Sequence, residues 1–304
     1  MMKVRHYFGR YMGMLLCAVI LACSSAGQAA PATGGERELL SKYPAIKANL
    51  EKNQFGAPIY LQSTEADGSL RVDMYGIFNH PFVAVSEALS SPANWCDITF
   101  LHINNKACTY KTTDFSLLTL YSGRKHYQRP SDAYPLKLKY RIVSQQSRYL
   151  DVLLDADEGP FRTKNHRITL QAAPLDATRT FVHFSFSYAH GSMTRAAING
   201  YFATVGQGKV GFSVVPGKGG RFVYVDGVRG AVERNTVRYY LALQSYLDTL
   251  RYPEPQRFER RINRWYDLTA KYPRQLKELE KGEYLSNKRQ ERKNQIALQK
   301  KEGR

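Results

Sequence analysis

The chain has 304 residues, 43% of them hydrophobic, with 21 Tyr and 14 Phe, enough to bury one large core plus extensions. Its net charge of +18 ordinarily raises nucleic acid as a partner, but the N-terminus reads as an export leader, and no nucleic acid is expected. No apolar run beyond residue 30 approaches the roughly 20 residues that a membrane-spanning helix needs.

Residues 1–11, MMKVRHYFGRY, carry Lys3, Arg5 and Arg10 and no acid. The uncharged run MGMLLCAVILA follows, then the small, polar stretch CSSAGQAAPATGG. This is the pattern of a secretory signal peptide over residues 1–29, with cleavage after Ala29. The expected location is periplasmic or secreted. ILAC before Ser24 loosely resembles a lipobox, so a lipoprotein anchored through Cys23 is the alternative. Cys17 lies in the leader, which leaves Cys96 and Cys108 as the pair retained under either reading. In an exported chain such a pair reads as one disulfide, with two buried free thiols as the alternative. A loop this short gains about 3 kcal/mol in the chain-entropy model.

A helical lead-in over residues 30–54 contains ERELLSKYPAIKANLEKN, interrupted near Pro44. PIYLQSTEADGSLRVDMYGIF has two strand patterns around the turn ADGS, the second with Leu70, Val72, Met74 and Gly76 on one face. HPFVAVSEAL then predicts a short helix, with Pro81 at its start and Phe82, Val85 and Leu89 as its stripe. In SPANWCDITFLHINNKACTY, DITFLHI and ACTYKTT read as the arms of a hairpin around NNK. From residue 100 to 190 the chain reads as an antiparallel meander. YPLKLKYRIVS places Leu136, Leu138, Tyr140 and Ile142 on a buried face and Lys137, Lys139 and Arg141 on a wet one. In TRTFVHFSFSYAH, Val182, Phe184, Phe186 and Tyr188 share one face, while His183, Ser185 and Ser187 share a face expected in water.

SMTRAAINGYFATV reads as a short helix, and residues 227–250 as a long one ended by YPEP, with Val228, Val232, Asn235, Tyr239, Ala242, Tyr246 and Leu250 near one stripe. Arg229 and Glu233 are an i,i+4 pair on that helix. The last segment, residues 251–304, is a basic helical extension with 16 Lys and Arg against 8 Asp and Glu. Phe258, Ile262 and Trp265 give part of it a docking face, whereas KRQERKNQIALQKK is basic and poor in apolar residues.

This order of elements resembles the START-like (helix-grip, polyketide cyclase/lipid-transfer-like) superfamily over residues 55–250. The segments SPANWCDI, HINNKACTY, DEGPF and GVRGAVERNTVRYYLAL look like its secreted bacterial branch. The resemblance implies an α+β helix-grip fold, a curved antiparallel sheet wrapped around the long helix with an apolar cavity between them. On that fold Leu138, Tyr140, Leu170, Val182, Phe184, Phe186, Tyr188, Val232 and Tyr239 are expected at the cavity, with Arg234 or Arg238 reaching the polar end of a ligand.

No HExxH, GxSxG or CxxC motif occurs, and the seven His lack helical metal-ligand spacing. VGQGKVG and PGKGG lack full P-loop spacing and read as flexible basic loops. No catalytic residue, metal or cofactor is expected. The expected partner is a lipid or other hydrophobic ligand, with the basic tail holding the protein near an anionic membrane surface. A structural or interaction protein with a filled core is the alternative, followed by a cyclase- or hydrolase-type enzyme on the same fold.

Overall fold

The computed structural model describes residues 34–302, apart from residues 67, 112, 115 and 192–207. The expected leader and the short helix expected over residues 192–205 lie outside the described residues. The described residues form one compact unit.

An eight-stranded antiparallel sheet runs in the order β1-β2-β8-β7-β6-β5-β4-β3. Its strands are β1 (Ile59–Ala66), β2 (Ser69–Phe78), β3 (Asn105–Tyr110), β4 (Leu117–Ser122), β5 (Tyr134–Gln146), β6 (Tyr149–Glu158), β7 (Lys164–Pro174) and β8 (Thr180–Ala189). The β1–β2 hairpin closes with Ala66 paired to Ser69, and Gly68 takes the left-handed conformation with φ 76°. The chain then leaves the sheet for helices α2 (Phe82–Leu89) and α3 (Pro92–Phe100) before returning at β3. A small hairpin of β9 (Val214–Pro216) and β10 (Phe222–Tyr224) precedes the long helix α4 (Gly227–Thr249).

α4 packs against the apolar face of the sheet. Leu70, Val72 and Met74 of β2 meet it there, as alternation predicts. Gly76 continues that row, and a Cβ at this position would collide with the Tyr240 hydroxyl, so glycine lets α4 approach the strand. A long curved sheet with a helix along its apolar face is the helix-grip architecture implied by the sequence resemblance.

Three local expectations are corrected. DITFLHI is not a hairpin arm, because α3 runs through Phe100. Pro92 stands at its first turn, where a missing N–H costs nothing, and Trp95, Cys96, Ile98, Thr99 and Phe100 are all buried. An apolar run buried this completely has no readable period. The Cys96–Cys108 disulfide therefore ties α3 to β3 rather than one hairpin arm to the other. Ile142 is 38% exposed, because a register shift between Ile142 and Ser144 breaks the alternation of β5. His183 is buried, since helix α1 (Gly34–Glu51) covers the outer face at this end of the sheet. Leu39, Leu50, Tyr75, Tyr149 and Phe181 form a second core there. His183 stacks on Tyr75 at 4.4 Å, with Nε2 2.7 Å from Asp73 and Nδ1 3.0 Å from Gln171.

The C-terminal extension folds back on the domain as α5 (Glu254–Thr269), α6 (Pro273–Leu276) and α7 (Lys281–Glu302). α5 docks on α4 through Ile262, Trp265 and Leu268, and the Trp265 indole donates to Arg238 O at 3.0 Å. α7 docks through Tyr284, stacked on Trp265 at 4.9 Å, and beyond it through polar side chains. It lies along β3, the edge strand, whose free backbone groups need partners. Gln295 Oε1 accepts from Cys108 N at 2.8 Å. Gln299 accepts from Tyr110 N and donates to Tyr110 O, at 3.0 and 2.8 Å. Lys288 Nζ donates to Asn105 O at 2.7 Å, and the buried pair Lys106–Glu291 closes at 2.8 Å.

Candidate functional site

Between the sheet and the N-terminal half of α4 lies a cavity of about 320 Å³. Its apolar wall comes from Leu120, Leu136 and Leu138 on β4 and β5, Ile168 on β7, and Phe186 and Tyr188 on β8. Val228, Ala231, Val232 and Tyr239 close it from the helix. The volume falls within the range of small-molecule sites, which combine apolar walls with a few placed polar groups.

Of the residues expected at the cavity, Leu138, Phe186, Tyr188, Val232 and Tyr239 line it, as do Arg234 and Arg238. Tyr140, Leu170, Val182 and Phe184 do not. They point to the same side of the sheet but lie in the packed core, where Phe184 is only 1% exposed. Alternation specifies the face of a strand and not the position along it at which packing gives way to a void.

The polar groups gather at one part of the wall. Arg238 Nη2 donates to Glu278 Oε1 at 3.0 Å and to Leu276 O at 3.3 Å, while its Nη1 meets Asn235 Oδ1 at 3.2 Å. Lys125 Nζ donates to the other oxygen of Glu278 at 2.7 Å. Burial raises the Glu278 carboxyl, but the Arg238 and Lys125 cations outweigh it and hold the group below its ordinary range. Arg234, one turn before Arg238, is 5% exposed. Burial, with Arg238 beside it, brings its guanidinium down to about 10.

Two histidines also line the cavity. His102 Nδ1 accepts from Asn104 N at 3.1 Å, which puts the ring proton on Nε2. The ring stacks on Tyr239 at 4.5 Å. Burial, with Arg238 and Lys288 nearby, pushes His102 well below its ordinary value and keeps it neutral. His166 Nε2 lies 2.7 Å from Thr163 Oγ1, whose own proton goes to Pro160 O at 2.6 Å. His166 Nε2–H is therefore the donor in that pair, and burial lowers this imidazole to about 4.

Sequence reading missed His102, Lys125, His166 and Glu278. HINN and DEGPF stood near the two histidines, but nothing in either stretch reports a cavity. Glu278 comes from the extension expected to be separate from the site, and no local signal marks it.

No family model matches the chain, and no curated protein matches it. Among solved structures, similarity is found to human StAR-related lipid transfer protein 5, at 11% identity over 71% of this chain and 100% of that one, TM-score 0.35. An aromatase/cyclase from a Streptomyces species shows 10% identity over 65% and 94%, TM-score 0.30. A conserved protein from Geobacillus kaustophilus shows 8% identity over 59% and 95%, TM-score 0.35. The assignment as a helix-grip fold rests on strand order and helix placement, not on these values.

Proposed function

We propose that the protein binds a lipid or other hydrophobic small molecule in the cavity beneath α4. The observation that carries this reading is a void of about 320 Å³ whose wall is mainly apolar surface. Such a wall gains about 25 cal/mol for each Å² of apolar surface removed from water. The void counts against a protein whose core is simply filled. The leader-like N-terminus and the Cys96–Cys108 pair support action in the cell envelope, in the periplasm or outside the cell. The basic extension is a weaker support for membrane contact, because many of its cations are paired within the chain: Arg261 and Arg292 with Asp97, Arg264 with Asp248, and Arg289 with Glu259.

Native mass spectrometry of protein purified from an envelope fraction tests the reading. A co-purifying hydrophobic molecule, and a melting temperature raised by adding it back, are expected. A wild-type melting temperature that no hydrophobic ligand raises would sink the idea. A second reading, an enzyme of the cyclase or hydrolase type, is favoured by His102 and His166, two neutral buried imidazoles on the cavity wall. Turnover of a bound substrate that is lost in His102→Gln, with binding retained, would distinguish it.

A further inference from the structure

The cations around the cavity do not balance. Arg234, Arg238 and Lys125 line it, and Lys209 is close enough to act on the same group of charges. Among the described residues, the only carboxylate in the lining is Glu278. Both of its oxygens are engaged, Oε1 by Arg238 and Oε2 by Lys125. Lys209 Nζ donates to Lys277 O. The nearest carboxylate on the helix itself, Glu233, is fully occupied elsewhere. Its Oε2 accepts from Phe212 N and Ser213 N at 2.6 and 2.8 Å, and its Oε1 accepts from Ser63 Oγ. Arg229, the expected i,i+4 partner, stands 3.9 Å away.

Arg234 is thus left over. It makes no hydrogen bond or ion pair among the described residues, and its Nη1 is buried without a partner. Glu278 and Glu233 reach Arg234 only through space, and a buried guanidinium with no bonded counter-charge is costly, a cost offset when an anion arrives. Arg238 is a different case, since Glu278, Asn235 and Leu276 O hold it in place. The two arginines separate into a structural cation and a free one.

Building on the proposed hydrophobic-ligand function, we infer that the cavity takes an amphiphile with an anionic end group, a carboxylate or a phosphate monoester, seated on Arg234. The acyl chain lies along Leu136, Leu138, Ile168 and Phe186. A guanidinium presents a planar fork that matches either oxyanion in bidentate fashion.

The test is isothermal titration calorimetry of the exported full chain with decanoate, decyl phosphate, decanol and decylamine, all below their critical micelle concentrations. Decanoate or decyl phosphate is expected to bind roughly 10- to 100-fold tighter than decanol, the range of a charge-assisted hydrogen bond. The stronger of the two anions identifies the end group. Arg234→Met should erase this preference and raise the melting temperature of the unliganded protein, because it removes an unpaired buried charge. Arg234→Lys should retain part of the preference. Equal binding of decanol and both anions to the wild type overturns the anionic end group and leaves the hydrophobic site standing. So does a preference that survives in Arg234→Met. Binding of none of the four overturns the hydrophobic-ligand reading itself. If Arg234→Met does not fold, the wild-type series alone decides.

Discussion

The two halves of α4 face the same sheet and do different things. The C-terminal half sends Tyr240, Leu241, Leu243, Tyr246 and Leu247 into a packed core shared with the sheet, α3 and α5. The N-terminal half, from Val228 to Tyr239, borders a void and carries Arg234 and Arg238 into it. One helix supplies both an anchor and a binding wall. The lesson is that rigidity at one end permits a cavity at the other, because a void next to loosely held elements would collapse.

The sharpest way to break this comparison uses two phenylalanines on one strand. Phe184 sits opposite Met74 and Leu170, in the packed region. Phe186, two residues on, reaches the cavity. Phe184→Ala should cost about 3–5 kcal/mol, the range for a fully buried aromatic truncated in a tight core. Phe186→Ala should cost well under half of that, since part of its side chain already faces empty space. Chemical denaturation of both variants checks it. Equal losses would mean that the two regions are packed alike.

The disulfide bears on the packed region next. Cys96 and Cys108 are 12 residues apart and fasten α3, which contacts α4, to the edge strand β3. Replacing both with alanine should lower stability by about 3 kcal/mol. Ligand affinity at the cavity should change little, because neither cysteine lines it. Unfolding curves and a binding isotherm of the Cys96→Ala/Cys108→Ala variant test both halves of the statement.

Much of this division was hidden in the sequence for physical reasons. The hairpin of β1 and β2, the long meander and α4 were all legible, because alternation and helical stripes record which face is buried. The position of the void was not legible, since Phe184 and Phe186 have the same chemistry and the same face. The covering of β3 by α7 was also unreadable. Lys288, Gln295 and Gln299 bond to backbone groups, and KRQERKNQIALQKK consequently looks like a solvated tail. Burial of His183 depends on α1 crossing from another part of the chain. The sequence points to Arg234 or Arg238 at a ligand's polar end, but the isolation of Arg234 is evident only from the partners of Glu278 and Glu233.

Acid should weaken the cavity end in particular. His166 has a folded-state value of about 4 against about 6.5 in the unfolded chain. The fold favours its neutral form. The stability this contributes is therefore complete above about pH 6.5 and is lost as pH falls toward 4, where the unfolded chain binds the extra proton. His102, lowered in the same direction by burial and nearby cations, adds to the loss. The expected drop across that window is about 1–3 kcal/mol after allowance for water reaching the cavity. His166→Gln should flatten the profile between pH 7 and pH 4.5. A variant with the wild-type slope would place the acid sensitivity elsewhere.

The smallest expected change in stability carries the most information about the cavity. Phe186→Leu keeps an apolar group on the wall and should cost about 1 kcal/mol or less, as near-isosteric swaps do. Phe186 is half-buried and makes ring contacts to Tyr188 at 5.9 Å and His166 at 6.1 Å. Those neighbours can relax into the space that leucine leaves, and this keeps the cost low. The shape of the void still changes at the point where an acyl chain would pass. Affinity for a ten-carbon amphiphile should shift several-fold while the melting temperature barely moves. In a filled core the outcome would be reversed, with a clear loss of stability and no ligand effect, because the missing atoms would leave a new cavity instead of enlarging an existing one. Thermal unfolding of Phe186→Leu with and without decanoate separates the two cases. The comparison between the halves of α4 survives only if the ligand-dependent part of the change exceeds the ligand-free part.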